Sequence, residues 1–367
     1  MVPADWRGLR VGLVGPVPPP SGGMANQLNQ LARLLREDGV EVEIVPVNAP
    51  YRPAWIGRWP GVRAVARLVP YAAALRRAAG RADILHVFAN SGWSWHLFAA
   101  PAVWIGRARG TPVVVNYRGG GADAFLGSSA RWVRPTIRRA SALVVPSGFL
   151  MDVFARHGLE ARIVPNIVDT VRFSPAPRRD PAAAGPRILV ARNLEPVYDV
   201  ATALRAFQLV RRSLPAASLT IAGSGPEERA LKALAAELGV AGAARFAGRV
   251  DNEKMPDLYR EADVVLNPSL VDNMPISILE ALACGVPVVS TDVGGVRHLV
   301  RHGETARLVP AGDANAIAAE IVRLRNERGL AERQVEAGRA LAETYTWPRV
   351  RETLADVYRA AIAVERS

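Results

Sequence analysis

Residues 267–290 read NPSLVDNMPISILEALACGVPVVS. The stretch leaves one short apolar run, residues 264–266, and enters another at 287–290. Between them, Asp272-Asn273-Met274-Pro275 reads as a loop and residues 276–284 as a helix, the connection that joins two parallel strands. Asp272 falls in the loop, and Glu280, eight residues on, falls about one turn into the helix. Backbone amides around Asn273, Met274, Pro275 and Ile276 would meet a phosphate or a sugar at the helix start. Glu280 is either a solvated helical acid or a ligand group able to accept both hydroxyls of a ribose. Its flanks, Leu279, Ala281 and Leu282, and the buried strand that follows favour the ligand group.

The same alternation extends outward in both directions. Apolar runs at 187–191, 218–222 and 244–246 precede the quoted unit, with helical stretches between them. An earlier series at 10–14, 40–47, 83–88, 112–117, 142–146 and 162–165 builds a separate set, with a helix over 24–37 after the first strand. Residues 175–186, rich in Pro, Ala and Arg, read as a linker between the two. A chain of 367 residues exceeds one ordinary core, so two domains are expected. The fold class is α/β, with two Rossmann-like doubly wound domains facing a cleft, 1–173 and 174–348. The final helix, within 349–367, is amphipathic and long enough to pack back on the first domain.

Composition narrows the functional classes. No apolar run reaches the roughly 20 residues of a membrane span, residues 1–10 lack a signal-peptide core, and a cytoplasmic protein is expected. Cys284 is the single cysteine, which rules out a disulfide framework and a cysteine metal site. The net charge of +12 is lopsided: 21 arginines face ten acids in 1–173, and 25 basic residues face 24 acids in 174–367. Residues 50–82 hold seven arginines and no acid, with Trp55, Trp59 and Tyr71 among them. That segment suits peripheral contact with an anionic membrane at its inner face, or an acidic acceptor; the plain alternative is a solvated helix with an apolar core face. Nucleic acid is not an expected partner, because no helix-turn-helix, zinc finger or single-strand module is present.

In doubly wound sheets, ligands sit outside the carboxyl ends of the strands. Gly22 and Gly23 follow the first strand and open the first helix, where glycine lets an anion approach backbone amides. Their spacing does not match the GxGxxG pattern of nicotinamide enzymes. Arg192 ends the first strand of the second domain, where a guanidinium can neutralise a departing diphosphate. Gly223 and Gly225, after the next strand, can shape a nucleotide pocket. Taken one at a time, each of these is equally an ordinary turn or surface residue.

Their order along the chain is more specific. Ile278-Leu279-Glu280-Ala281-Leu282-Ala283-Cys284-Gly285-Val286-Pro287-Val288-Val289 resembles the donor-site signature of the retaining GT-B glycosyltransferases, family 4 in particular. Asp83-Ile84-Leu85-His86 resembles that family's D-x-x-H strand, and Ile163-Val164-Pro165-Asn166-Ile167-Val168-Asp169 its I-P-N-G-V-D hinge. Ala222-Gly223-Ser224-Gly225-Pro226, Asp292-Val293-Gly294-Gly295 and Leu308-Val309-Pro310-Ala311-Gly312-Asp313 follow in family order, so the resemblance spans nearly the whole chain.

The resemblance implies a retaining, metal-independent glycosyltransferase that takes a nucleotide diphosphate sugar as co-substrate and needs no resident cofactor. Glu280 would bind the donor ribose, and Asp272 would stand where the first glutamate of E-x7-E stands. Gly22 and Gly23 would approach the diphosphate, and Arg192 would stabilise its charge. Three positions depart from the pattern. Val197 stands for a lysine, Arg118 for the histidine of H-G, and Asp272 for glutamate. Charge lost at Val197 is expected to be replaced by Arg118. A non-catalytic nucleotide-sugar binder and an epimerase on the same fold are the alternatives.

Overall fold

The computed structural model describes residues 6–19, 22–49, 60–176, 185–327 and 329–366. The chain divides into two compact units, 1–166 with 347–367, and 167–346.

The first unit runs β1 (Arg10–Gly15), α1 (Gly23–Glu37), β2 (Glu41–Pro46), α2 (Pro60–Ala79), β3 (Ile84–Ala89), α3 (Ala100–Ala108), β4 (Val113–Tyr117), α4 (Ala122–Ile137), β5 (Ala142–Val145), α5 (Gly148–Arg156) and β6 (Arg162–Ile163). All pairings are parallel, in the order β2-β1-β3-β4-β5-β6. Every residue of β3 and β4 is buried, as a parallel strand covered on both faces requires. In α1, Leu28, Leu31, Ala32 and Leu35 form the buried stripe. Strand order reverses between β1 and β3, which opens a crevice beyond their carboxyl ends.

The second unit runs β7 (Arg187–Ala191), α6 (Val200–Ser213), β8 (Ser218–Ala222), α7 (Glu228–Glu237), β9 (Ala244–Gly248), α8 (Met255–Glu261), β10 (Val264–Asn267), α9 (Ile276–Ala283), β11 (Val288–Thr291), α10 (Val296–Leu299), β12 (Arg307–Val309), α11 (Ala314–Asn326) and α12 (Leu330–Glu343). Its parallel sheet has the order β12-β11-β10-β7-β8-β9, with the reversal between β10 and β7. Alternation along β7 divides the core in two. Ile188 and Val190 pack with Leu204, Phe207 and Ile321, and Leu189 packs with Tyr259, Ile278 and Leu282.

The helix α13 (Trp347–Arg366) belongs to the first unit. Tyr358 stacks on Trp6 at 6.0 Å and its hydroxyl meets His86 Nδ1 at 2.7 Å, while Trp347 Nε1 donates to Asp38 at 3.0 Å. The sequence reading starts the second domain at 174, but the first unit ends at Asn166. Val168 and Phe173 bury their side chains against Tyr259, Met274 and Ile278, so this apolar stretch joins the second core.

Candidate functional site

The reversal between β7 and β10 places Arg192 and Asn267 side by side. Arg192 Nε donates to Asn267 Oδ1 at 2.7 Å, and Nη2 pairs with Asp272. Both members of that ion pair are about nine-tenths buried. Among the described residues, Arg192 Nη1 has no hydrogen-bond partner. Asn267 is fixed in turn: its Nδ2 donates to Ser290 Oγ at 3.0 Å, and its Oδ1 also accepts from Ser269 Oγ at 2.8 Å. Thr291 Oγ1 donates to the Ser269 carbonyl at 2.6 Å. A chain of polar side chains across β10 and β11 thus holds one guanidinium in place.

The loop before α9 is less open than its sequence suggests. The Asn273 amide donates to Asp272 Oδ1 at 3.0 Å, so Asp272 accepts from its own neighbour and from Arg192 together. Pro275, at the helix N-cap, has no N–H to offer. The carbonyl of Asn273 presses so closely on Gly295 that a Cβ there would lie 1.6 Å from it, and Gly295 N donates to the Asp272 carbonyl at 3.0 Å. Met274 is buried in the core beneath the loop, and Ile276 begins the helix.

Glu280 lies in the interior, 8% exposed, between buried Leu279 and Ala281, which excludes the solvated alternative. The Tyr259 hydroxyl, on α8, donates to Glu280 Oε2 at 2.9 Å. Burial pushes this carboxyl up to about 7, against the downward pull of the Tyr259 bond and of the Arg172 and Arg192 charges. Near neutral pH the group therefore passes between donor and acceptor.

Gly223 and Gly225 have a reason rooted in chain packing. A Cβ on Gly223 would lie 1.8 Å from the Arg192 carbonyl, and one on Gly225 would lie 2.3 Å from that of Leu194. These glycines let the segments after β7 and β8 touch, with Leu194 N donating to the Ser224 carbonyl at 3.1 Å. They shape the surroundings of Arg192 through that backbone contact.

In the first unit, Gly22 has an extended backbone at the start of α1, and open space surrounds Gly22 and Gly23 where side chains would stand. Arg118 follows β4. Its guanidinium lies 5.3 Å from the Phe88 ring centroid and donates to Asn166, the last residue of the unit. Burial draws it down to about 10, so it stays charged at neutral pH. Beside it, His86 Nε2 accepts from Asn116 Nδ2 at 3.0 Å, which leaves Nδ1–H to donate to Tyr358.

For the arginine-rich segment, residues 50–59 lie outside the described residues. Within α2, Tyr71, Leu75, Ala78 and Ala79 enter the core, Arg76 and Arg77 are exposed, and Val69 is 63% exposed. No helix among the described residues is long and apolar enough to cross a membrane.

Three side chains that complete the site did not stand out in the sequence. Asn267 was detectable, because it closes a strand next to the reversal point. Tyr259 and Tyr198 carry no comparable signal, since each meets its partner only through folding.

Two doubly wound units, with a charged, hydrogen-bonded cluster at the carboxyl edge of the second, make a GT-B architecture. Residues 178–341 match the family described as Glycosyl transferases group 1, and residues 22–166 match the Glycosyl transferase 4-like domain. The chain belongs to the family 4, group 1 glycosyltransferases. It is 29% identical to the phosphatidyl-myo-inositol mannosyltransferase of Mycobacterium leprae, over 95% of this chain and 96% of that one. Its fold resembles sucrose-phosphate synthase from Thermosynechococcus elongatus, with a TM-score of 0.77 at 19% identity, covering 97% of this chain and 100% of that one. It also resembles Anabaena HepE in complex with UDP and glucose, with a TM-score of 0.74 at 18% identity, covering 96% and 100%.

Proposed function

We propose that this glycosyltransferase moves a sugar from a nucleotide diphosphate donor to an acceptor hydroxyl, with retention at the anomeric carbon and without a metal. The observation that carries this reading is Arg192, held by Asn267 and Asp272 at the strand reversal with Nη1 left for a ligand. A cation fixed at that point meets a diphosphate without reorganising. Glu280 stands close enough for the Arg192 charge to act on it, and accepts the ribose hydroxyls.

In the step proposed, the bond from the anomeric carbon to the diphosphate oxygen breaks while Arg192 neutralises the charge that appears. The acceptor oxygen bonds to the same face of that carbon, and its proton passes to an oxygen of the departing phosphate. Asp272, already fixed by Arg192 and the Asn273 amide, orients sugar hydroxyls. Within the first unit taken by itself, Gly22 and Gly23 leave open space at the start of α1 and Arg118 keeps its charge at neutral pH, features suited to an anionic ligand. The name of the phosphatidyl-myo-inositol mannosyltransferase relative and the basic first half of the chain support trying anionic polyols as acceptors.

Thermal-shift screening against UDP, GDP, ADP and TDP, followed by NMR of the product's anomeric proton, tests the reading. Stabilisation by one nucleoside diphosphate and a product of unchanged anomeric configuration are expected. An inverted product, or binding without turnover on any donor, contradicts it. Contact of residues 50–82 with an anionic membrane is the proposed peripheral partner, supported by the exposure of Val69, Arg76 and Arg77 on α2. Arg76→Gln with Arg77→Gln should reduce co-sedimentation with phosphatidylglycerol vesicles at low salt; wild type that does not sediment removes that partner.

A further inference from the structure

The lysine that the family pattern places five residues after Arg192 is absent here, and the structure shows what occupies its surroundings. Val197 sits within the short 3-10 turn Pro196–Tyr198. Its carbonyl accepts from Leu270 N at 2.8 Å, which ties this turn to the loop that carries Asp272. The next residue, Tyr198, lays its ring against Arg192, with the guanidinium carbon 5.3 Å from the ring centroid. The turn closes on Asp199 at φ 43° and ψ 48°, the one residue other than glycine with positive φ among the described residues. Left-handed backbone is unfavourable for a side-chain-bearing residue and persists where its surroundings enforce it. Asp199 is held because its carboxylate caps α6, accepting from Thr202 N at 3.2 Å. Tyr198 is the residue immediately before this left-handed position, so it lies in a turn fixed at both ends, by Leu270 N on the Val197 carbonyl and by the Asp199 cap.

The guanidinium is thereby constrained on three sides: Asn267 Oδ1 at Nε, Asp272 at Nη2, and the Tyr198 ring on one face. The two edge contacts fix it in its plane, and a ring against the face restrains rotation out of that plane. A lysine ammonium at 197 would add charge near Arg192, whereas an aromatic face attracts the guanidinium by its quadrupole and adds none. The Tyr198 hydroxyl has no hydrogen-bond partner among the described residues, so the ring is not anchored through its polar end.

We propose that Tyr198 is the positioning residue for Arg192 in this chain, its ring holding the guanidinium at the reversal between β7 and β10 in place of a second cation at Val197. The inference rests on the reading of Arg192 as the group that meets the donor diphosphate. It predicts that the ring matters and the hydroxyl does not.

The test compares Tyr198→Leu, Tyr198→Phe, Arg192→Ala and the Arg192→Ala/Tyr198→Leu double variant. Turnover is followed as donor hydrolysis with UDP-, GDP-, ADP- and TDP-linked glucose and mannose. The ¹⁵N–¹H resonance of Arg192 Nε reports its position separately. Tyr198→Leu should lower kcat roughly tenfold, with donor KM changed less than about threefold, because a loosened guanidinium fails most where charge develops. Tyr198→Phe should retain at least half the wild-type kcat. The double variant should be no slower than Arg192→Ala, as expected for residues acting as one unit. The Arg192 Nε–H signal should be sharp in wild type and Tyr198→Phe, and broadened or shifted in Tyr198→Leu.

An unchanged kcat and Nε–H signal in Tyr198→Leu would overturn the inference, as would a Tyr198→Phe variant as slow as Tyr198→Leu. If Arg192→Ala itself turns over normally, the donor-site reading fails instead, and the Nε–H signal still decides whether Tyr198 holds Arg192.

Discussion

The Tyr259 hydroxyl donates to Glu280 Oε2 at 2.9 Å, and both side chains are buried. The bond favours the charged carboxylate, and burial opposes it strongly enough to leave the group near 7. Raising the pH from 6 to 8 therefore converts Glu280 from acid to carboxylate, the better acceptor for ribose hydroxyls. Affinity for the nucleoside diphosphate should rise over that range. Tyr259→Phe should move the midpoint upward and weaken binding at pH 7 more than at pH 9. Glu280→Gln should bind more weakly at pH 8 and show no such slope. Calorimetric titration at several pH values checks this; an equal slope in Glu280→Gln would assign the titration to another group.

The same group makes stability depend on pH. Folded Glu280 holds its proton up to about 7, above the ordinary value of 4.5. As the pH rises between those values, the unfolded chain releases this proton before the folded one does. Stability should fall across that window and level off above it, by on the order of 3 kcal/mol. Glu280→Gln should lack this component, so its stability relative to wild type should improve from pH 5 to pH 8 in urea unfolding. A constant difference between the two proteins would show that Glu280 titrates normally.

Tyr358 and His86 join α13 to the first sheet at 2.7 Å. Burial, aided by the Arg118 charge, holds His86 down to about 3, so it stays neutral and needs both ring nitrogens satisfied. Tyr358→Phe leaves Nδ1–H without its partner, at about 1–3 kcal/mol for a buried donor. The melting temperature should drop by several degrees, and α13 amides should exchange faster. Nucleotide affinity should not change. Unaltered α13 protection would mean that the stacking of Trp6 on Tyr358 and its contact with Trp347 suffice.

Turnover should persist in EDTA. Among the described residues no three His, Cys, Asp or Glu side chains gather as metal ligands, and Asp272 is already paired with Arg192. Activity lost to the chelator and restored by a divalent cation would refute the metal-independent reading.

Much of the architecture was legible because parallel strands announce themselves as short β-branched runs. Val113-Val114-Val115 and Val288-Val289 are buried on both faces, as such runs must be. β12 was not read as a strand, since it has three residues and contains Arg307, whose buried guanidinium is matched by Glu320. The domain boundary was misplaced by seven residues because Val168 and Phe173 resemble the end of one core but fill the other. At the site, apolar flanks revealed that Glu280 is no surface acid. Sequence could not show that Asp272 and Arg192, 80 residues apart, meet each other. Nor could it show that the Tyr198 ring lies against Arg192, since the two meet only once the turn after β7 has folded.

The central claim is that Arg192 stabilises a departing diphosphate, and steady-state kinetics of Arg192→Ala on the donor that wild type uses test it most directly. Asp272→Asn in the same background controls for the carboxylate left without its partner. The account predicts a kcat lower by on the order of a hundredfold, with donor KM within a few-fold of wild type, because the contact strengthens as the bond breaks. A variant that only raises KM, or one that turns over at the wild-type rate, would contradict it.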